Sequence, residues 1–213
     1  MTGSKTSAIF VTLEGGEGAG KSTSREFIVS LLEEHDVPFI QTREPGGTPI
    51  GEALRELLLS KEGTAPSVTT ELLMVFAARA QHLHEVIEPA LRDGKWVLCD
   101  RFTDATYAYQ GYGRGFDQGE IEALEALVQR GRHPDLTLLF DIDPQLGMAR
   151  ARQRAELDRF EQEELAFFER VREGYLSRAE RDSRFKIIDA SQSIDDVQNA
   201  LREALLPLVG GTS

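Results

Sequence analysis

An α/β fold is what this sequence predicts: one parallel β-sheet of about five strands, flanked by helices. Three observations predict it. Short apolar segments rich in β-branched and aromatic residues alternate with segments of helical periodicity along the whole chain. That is the pattern of strands covered by helices on both faces. No linker, internal repeat or low-complexity tract divides the 213 residues, a length that suits one domain, 1–213, with a full core. Finally, the first apolar segment runs straight into a glycine-rich turn that opens a helix.

Residues 9–13, Ile-Phe-Val-Thr-Leu, read as a buried strand. Residues 15–23 follow as Gly-Gly-Glu-Gly-Ala-Gly-Lys-Ser-Thr, a complete phosphate-binding loop of the form G-x-x-x-x-G-K-[ST]. The backbone of Gly15, Gly16, Glu17, Gly18, Ala19 and Gly20 is expected to turn its N–H groups around a phosphate chain. Lys21 reaches the outer phosphates, and Ser22, followed by Thr23, offers a hydroxyl to Mg²⁺. Phe27, Ile28, Leu31 and Leu32 then recur at helical spacing, so Lys21 opens a helix whose N-terminus favours an anion. The fold narrows to a P-loop NTPase-type sheet, with ATP and Mg²⁺ as the expected cofactors.

Further strands are expected at residues 37–42, 95–99, 136–141 and 185–188. Thr48 before Pro49 reads as an N-cap and first helical position. Residues 60–67, with Gly63 and Pro66, read as a loop before a long helix from near Val68. Asp117 with Glu120 makes a capping box ahead of Ile121, Leu124 and Leu127. Ser193 with Asp196 opens a last helix carrying Val197, Leu201 and Leu205, and residues 210–213 read as a frayed tail.

Composition excludes some roles. A formal charge of −12 argues against a nucleic-acid partner, whose surface is met by basic patches. Cys99 is the only cysteine, so no intrachain disulfide is expected, and after Trp96, Val97 and Leu98 it reads as a buried thiol. The apolar run from Ala8 is too short for a signal peptide, and no stretch approaches the ~20 apolar residues that cross a bilayer. A cytoplasmic protein without a membrane partner is the expectation.

Four segments add candidate chemistry. Arg43, in Thr42-Arg43-Glu44-Pro45-Gly46-Gly47-Thr48, stands at the carboxyl end of the second strand, where ligands bind in open α/β sheets. It is either a phosphate fork or a surface ion pair. Asp100-Arg101 follows the third strand at the same edge. The Asp suits water on Mg²⁺ and the Arg a phosphate, unless they are a structural pair. Tyr107, Tyr109 and Gln110 either line a base or sugar pocket or simply pack. Arg150, Arg152 and Arg154 form either a cationic clamp or a solvated helix face. Arg79, alone in the apolar setting Phe76-Ala-Ala-Arg79, needs a partner, either a bound base or a neighbouring Glu. His82 and His84 lack metal-ligand spacing and read as core or surface residues.

These segments together resemble thymidylate kinases over essentially the whole chain. The similarity lies in residues 13–23, Thr42-Arg-Glu-Pro-Gly-Gly47, Ala77-Ala-Arg79, Asp100-Arg101, Ala108-Tyr-Gln-Gly111 with Gly113-Arg-Gly115, and Leu157-Asp-Arg-Phe-Glu161. The resemblance implies transfer of a phosphoryl group from MgATP to dTMP by a homodimer. It implies that Lys21 and the loop hold ATP, that Ser22 and Asp100 serve Mg²⁺, and that Glu17 lies near the acceptor sugar and phosphate. Arg43 and Arg101 grip the acceptor phosphate, Arg79 faces thymine, and Thr106, Tyr109 and Gln110 line the base and sugar pocket. A lid at about residues 150–161 brings catalytic arginines, which fits a loop with no Lys or Arg at positions 16–19. In many relatives a phenylalanine stands four residues before the helix arginine. Here that position is Val75 and the aromatic is Phe76, so either Phe76 turns inward or the stacking partner differs. Position 105 is Ala where Ser is common. A kinase for another monophosphate is the nearest alternative. A nucleotide switch is disfavoured because no Asn-Lys-x-Asp segment is present.

Overall fold

A computed structural model describes residues 8–60, 64–153, 160 and 163–210. Five strands form the sheet: β1 (Phe10–Gly15), β2 (Phe39–Arg43), β3 (Trp96–Asp100), β4 (Leu136–Asp141) and β5 (Phe185–Asp189). They pair in the order β2-β3-β1-β4-β5, with every pair parallel. Between them run α1 (Lys21–Glu34), α2 (Pro49–Leu59), α3 (Val68–His82), α4 (Glu88–Arg92), α5 (Thr103–Thr106), α6 (Gln118–Gln129), α7 (Pro144–Arg152), α8 (Leu165–Arg181) and α9 (Ile194–Gly210). A π-helical segment, Tyr107–Gly113, continues α5 without a break.

The expected starts hold. Thr48 Oγ1 accepts from Gly51 N–H with Pro49 at the first turn, and Asp117 Oδ1 accepts from Glu120 N–H. Ser193 Oγ accepts from Asp196 N–H in the same way. Both faces of the sheet are covered, as the apolar strands require. Val11, Leu13, Leu98, Leu138 and Phe140 pack with Ile28, Leu31 and Leu32 of α1 and Leu201 and Leu205 of α9. Phe10, Val97 and Cys99 pack with Leu83, Ile87 and Phe102. Leu139 and Phe185 meet Phe167, Phe168, Val171 and Tyr175 of α8. Full burial of one such side chain is worth about 1.5–3 kcal/mol. The central strands are therefore well anchored, and what they carry at their carboxyl ends is held from fixed points.

Four strands end later than the apolar pattern implies: β1 reaches Gly15, β2 Arg43, β3 Asp100 and β5 Asp189. The apolar run stops where the core stops. The ladder continues past it, at β2 and β3 into Arg43 and Asp100, which line the cleft, because backbone pairing does not depend on the side chain.

Candidate active site

β1 pairs with β3 on one side and β4 on the other, and the chain crosses β1 on its way from β3 to β4, so the crevice lies at the carboxyl end of β1. The phosphate-binding loop occupies it. Gly15, Gly18 and Gly20 take positive φ, which glycine adopts at low cost. A Cβ on Gly18 would stand 1.9 Å from the carbonyl oxygen of Gly147, and one on Gly147 2.4 Å from that of Glu17. The loop and the first turns of α7 thus touch backbone to backbone, and neither position has room for a side chain. Lys21 opens α1 and folds back over the loop, donating to the carbonyls of Gly15 and Gly16, each at 2.9 Å. Burial, followed by the like charge of Arg101, draws its pKa from 10.5 down to about 8. Ser22 and Thr23 stand exposed at the start of α1.

Beside the loop, Arg43 and Asp100 are register partners on β2 and β3. Arg101 follows with φ 67°, a left-handed geometry that costs a non-glycine residue about 1–2 kcal/mol. Its environment holds it there. Its N–H donates to Leu13 O at 2.9 Å. Nη1 donates to Gly15 O and to the Tyr175 hydroxyl, each at 3.0 Å, and Nη2 donates to Glu17 Oε1 at 2.5 Å. The Tyr109 hydroxyl donates to the same Glu17 oxygen at 2.9 Å, and the Arg101 guanidinium lies 4.8 Å from the Tyr109 ring centre. Tyr175 in turn donates to buried Glu14, whose other oxygen accepts from Phe102 N–H. Burial raises the Glu14 carboxyl to about 8. Asp100 keeps a buried Oδ1 with no hydrogen-bond partner among the described residues.

A cleft opens from these groups. Its walls include Glu17, Arg43, Arg55, Val75, Arg79 and Asp100, and further round Arg101, Ala105, Thr106, Tyr109, Gln110 and Phe160. Arg43 is half exposed and paired with Glu52 at 2.7 Å. It is in a surface ion pair, and it also lines the cleft. Arg79 is 1 % exposed and does have an acidic partner. That partner is Glu44, in the loop after β2 rather than on a helix, bound through Nε at 2.7 Å. Nη2 donates to Thr106 Oγ1 at 3.0 Å, while Nη1 is buried with no partner among the described residues. His82, a core histidine, bridges Glu44 and Thr42.

Phe76 turns away from the cleft. It is 2 % exposed, packs with Leu72, Tyr107 and Ile121, and supports Arg79 from below at 4.9 Å, while Val75 takes the cleft wall. One helical step of about 100° separates the two positions, so only one of them can face the cleft. Arg150 donates at 2.8 Å to the carbonyl of Ala190, in the loop after β5, and Arg152 is exposed at the end of α7. Arg154 lies outside the described residues, as do Asp158, Arg159 and Glu161. Glu44, Arg55, Glu71, Glu14 and Tyr175 were not legible as site residues. The need of a buried arginine for an acid was the one signal pointing to Glu44. Among the described residues no group of three or more His, Cys, Asp or Glu side chains could hold a metal.

A parallel sheet whose first strand delivers a phosphate-binding loop beside arginines from two neighbouring strand ends defines a P-loop nucleotide-binding protein. The comparisons with known proteins are more particular. The thymidylate kinase family model matches residues 13–201. The chain is 57 % identical over 202 residues to a thymidylate kinase of Pseudomonas putida (strain GB-1), covering 94 % of this chain and 96 % of the relative. It is 58 % identical over 200 residues to one of Pseudomonas savastanoi pv. phaseolicola, covering 93 % and 95 %. With one of Teredinibacter turnerae the figures are 56 % over 197 residues, 92 % and 96 %. The chain belongs to the thymidylate kinase family.

Proposed function

We infer that this protein transfers the γ-phosphoryl group of MgATP to dTMP, giving ADP and dTDP. The observation that carries the reading is the cleft in which the phosphate-binding loop meets Arg43, Arg101 and the buried, partly unpaired Arg79. Lys21 and the loop N–H groups hold the ATP phosphates. Ser22 and Asp100 would receive the shell of a bound Mg²⁺, which would supply neutralising charge at the transferring group. Arg43, Arg55 and Arg101 grip the acceptor phosphate, with Glu17 and Tyr109 fixing the sugar and the Arg101 fork. Arg79, Thr106 and Gln110 meet the base, and Val75 gives it an aliphatic wall. The acceptor is already an oxyanion, so no general base is required. The work is positioning and charge neutralisation, to which Arg150, Arg152 and Arg154 add on closure of a lid at about residues 150–161.

The chain acts as one domain. Ile50 and Leu57 of α2, Val68 and Leu73 of α3, and Leu127 of α6 are large apolar side chains left exposed on helices that touch one another. They support a homodimer packed through these helices, which sedimentation at graded concentration tests. Among the described residues no helix is long and apolar enough to cross a membrane. We place the enzyme in the cytoplasm. An ADP-release assay across nucleoside monophosphates tests the function. The expected result is turnover with dTMP above all others, and a stronger response to another monophosphate overturns it.

A further inference from the structure

We propose that Glu71 determines which pyrimidine the cleft accepts, by fixing the direction of the Gln110 amide. The inference rests on the base site assigned above. Glu71, Val75 and Arg79 lie four residues apart on α3 and so share a face. That face meets the segment carrying Thr106 and Gln110 through two rungs in opposite directions. At one rung Arg79 Nη2 donates to Thr106, which leaves Nη1 as an unused donor among the described residues. At the other, Gln110 Nε2 donates to Glu71 Oε1 at 2.8 Å. Both residues are buried, at 3 % and 1 % exposure.

Arg114 Nε stands 3.5 Å from the same Glu71 oxygen. A carboxylate that faces a guanidinium accepts hydrogen bonds and donates none. The NH₂ end of Gln110 must therefore face Glu71, and its carbonyl Oε1 must face the other way. Gln110 lines the cleft, so it offers the base an acceptor. Arg79 offers only donors. A base that meets both must present an acceptor to Arg79 and a donor to Gln110. The 4-oxo group and adjacent N3–H of thymine or uracil do this. Cytosine carries the reverse pair, an amino donor and a bare N3, and would leave two buried groups opposed and unpaired. A glutamine alone cannot choose, because its amide serves either pattern when turned over. The polarity comes from Glu71, which acts as a positioning residue and touches no substrate.

The experiment is kcat/KM for dTMP, dUMP and dCMP in wild type and Glu71→Gln, with the KM for ATP and melting temperature alongside. Where dCMP turnover falls below detection, its inhibition constant against dTMP supplies the comparison. The amide introduced by Glu71→Gln can donate or accept, so the Gln110 amide becomes free to turn. The expected result is a fall of about tenfold or more in the preference for dTMP over dCMP, the size of one buried hydrogen bond. Preference between dTMP and dUMP, which share the edge, should hold, as should the KM for ATP. Equal losses toward dTMP and dCMP overturn the inference. If Glu71→Gln does not fold, Gln110→Met removes the acceptor and leaves Glu71 in place. It should cut dTMP use and spare dCMP, and parallel losses again overturn the inference. Absence of dTMP turnover in wild type defeats the proposed function itself, whereas an unchanged ratio in an active enzyme defeats only the role of Glu71.

Discussion

Replacing Arg79 by methionine should damage stability and acceptor use through two separate contacts. The guanidinium and its partner Glu44 are 1 % and 3 % exposed and lie 2.7 Å apart. Removing the cation leaves a buried carboxylate facing only His82, and breaking such a pair costs about 3–5 kcal/mol. A chain of this length shifts by about 2–4 °C per kcal/mol, so a drop of roughly 6–20 °C in Tm is expected. The unpaired Nη1 is the group proposed to meet the base. A lost hydrogen bond from a charged donor is worth about 1.5–3 kcal/mol, or roughly 10- to 150-fold in kcat/KM for dTMP, with the KM for ATP unchanged. Adding Glu44→Gln separates the two effects. The amide still serves His82 but carries no charge, so much of the melting temperature should return while dTMP use stays impaired. Steady-state kinetics and thermal melts on the two single variants and the double variant decide it. If Glu44→Gln restores dTMP use along with stability, Arg79 is a structural cation and the base contact is refuted.

Other outcomes follow from the same geometry. Lys21→Ala should cut turnover on the order of 10³-fold, the effect of removing one preorganised charge from the transferring phosphates. It should melt close to wild type, because Lys21 bonds only its own loop and Arg101 still donates to Gly15. Near-normal turnover would remove the loop from the chemistry. Lys21 sits near pKa 8 in the free protein, and a bound polyphosphate should raise it, so ATP binding at pH 8 should take up about half a proton. Binding heats in buffers of different ionisation enthalpy measure this uptake, which should vanish in Lys21→Ala and shrink at pH 6.5. For Glu14, raised from 4.5 to about 8, the folded state holds a proton that the unfolded chain has lost. Its contribution is therefore fully present below about pH 4.5 and lost as pH rises through 8, and Glu14→Gln should flatten that part of the stability profile. Single Ala variants at Arg150 and Arg152 should lower kcat more than they raise the KM for dTMP, because charges on the proposed lid would act on the transition state. Unchanged kcat in both would leave them as the bond to Ala190 and a solvated side chain.

The sequence by itself determined the parallel sheet, the loop at the end of β1, the helix starts at Thr48, Asp117 and Ser193, and the family. Each depends on signals within a few residues: an apolar run, a cap, a glycine spacing. It also placed Arg43, Asp100 and Arg101 at one edge of the sheet, because parallel strands put all their carboxyl ends at one edge. Only the tertiary structure decided how these residues are used. Arg79 and Glu44 are 35 residues apart, and Glu14 and Tyr175 are 161 apart. No local pattern encodes which acid meets which arginine when several of each reach the same edge. The turn of Phe76 away from the cleft had the same origin. Val75 and Phe76 are both apolar and both buried, and the helix could present either until α3 packed on Tyr107 and Ile121. The π-helical run at Tyr107–Gly113 likewise carries no local signal for its form, with glycines at 111 and 113 that disfavour a helix. Close packing of α8 against it, not propensity, sets where Tyr109 and Gln110 point. Local chemistry named the parts of the site. Long-range packing and the need to pair every buried charge chose their partners.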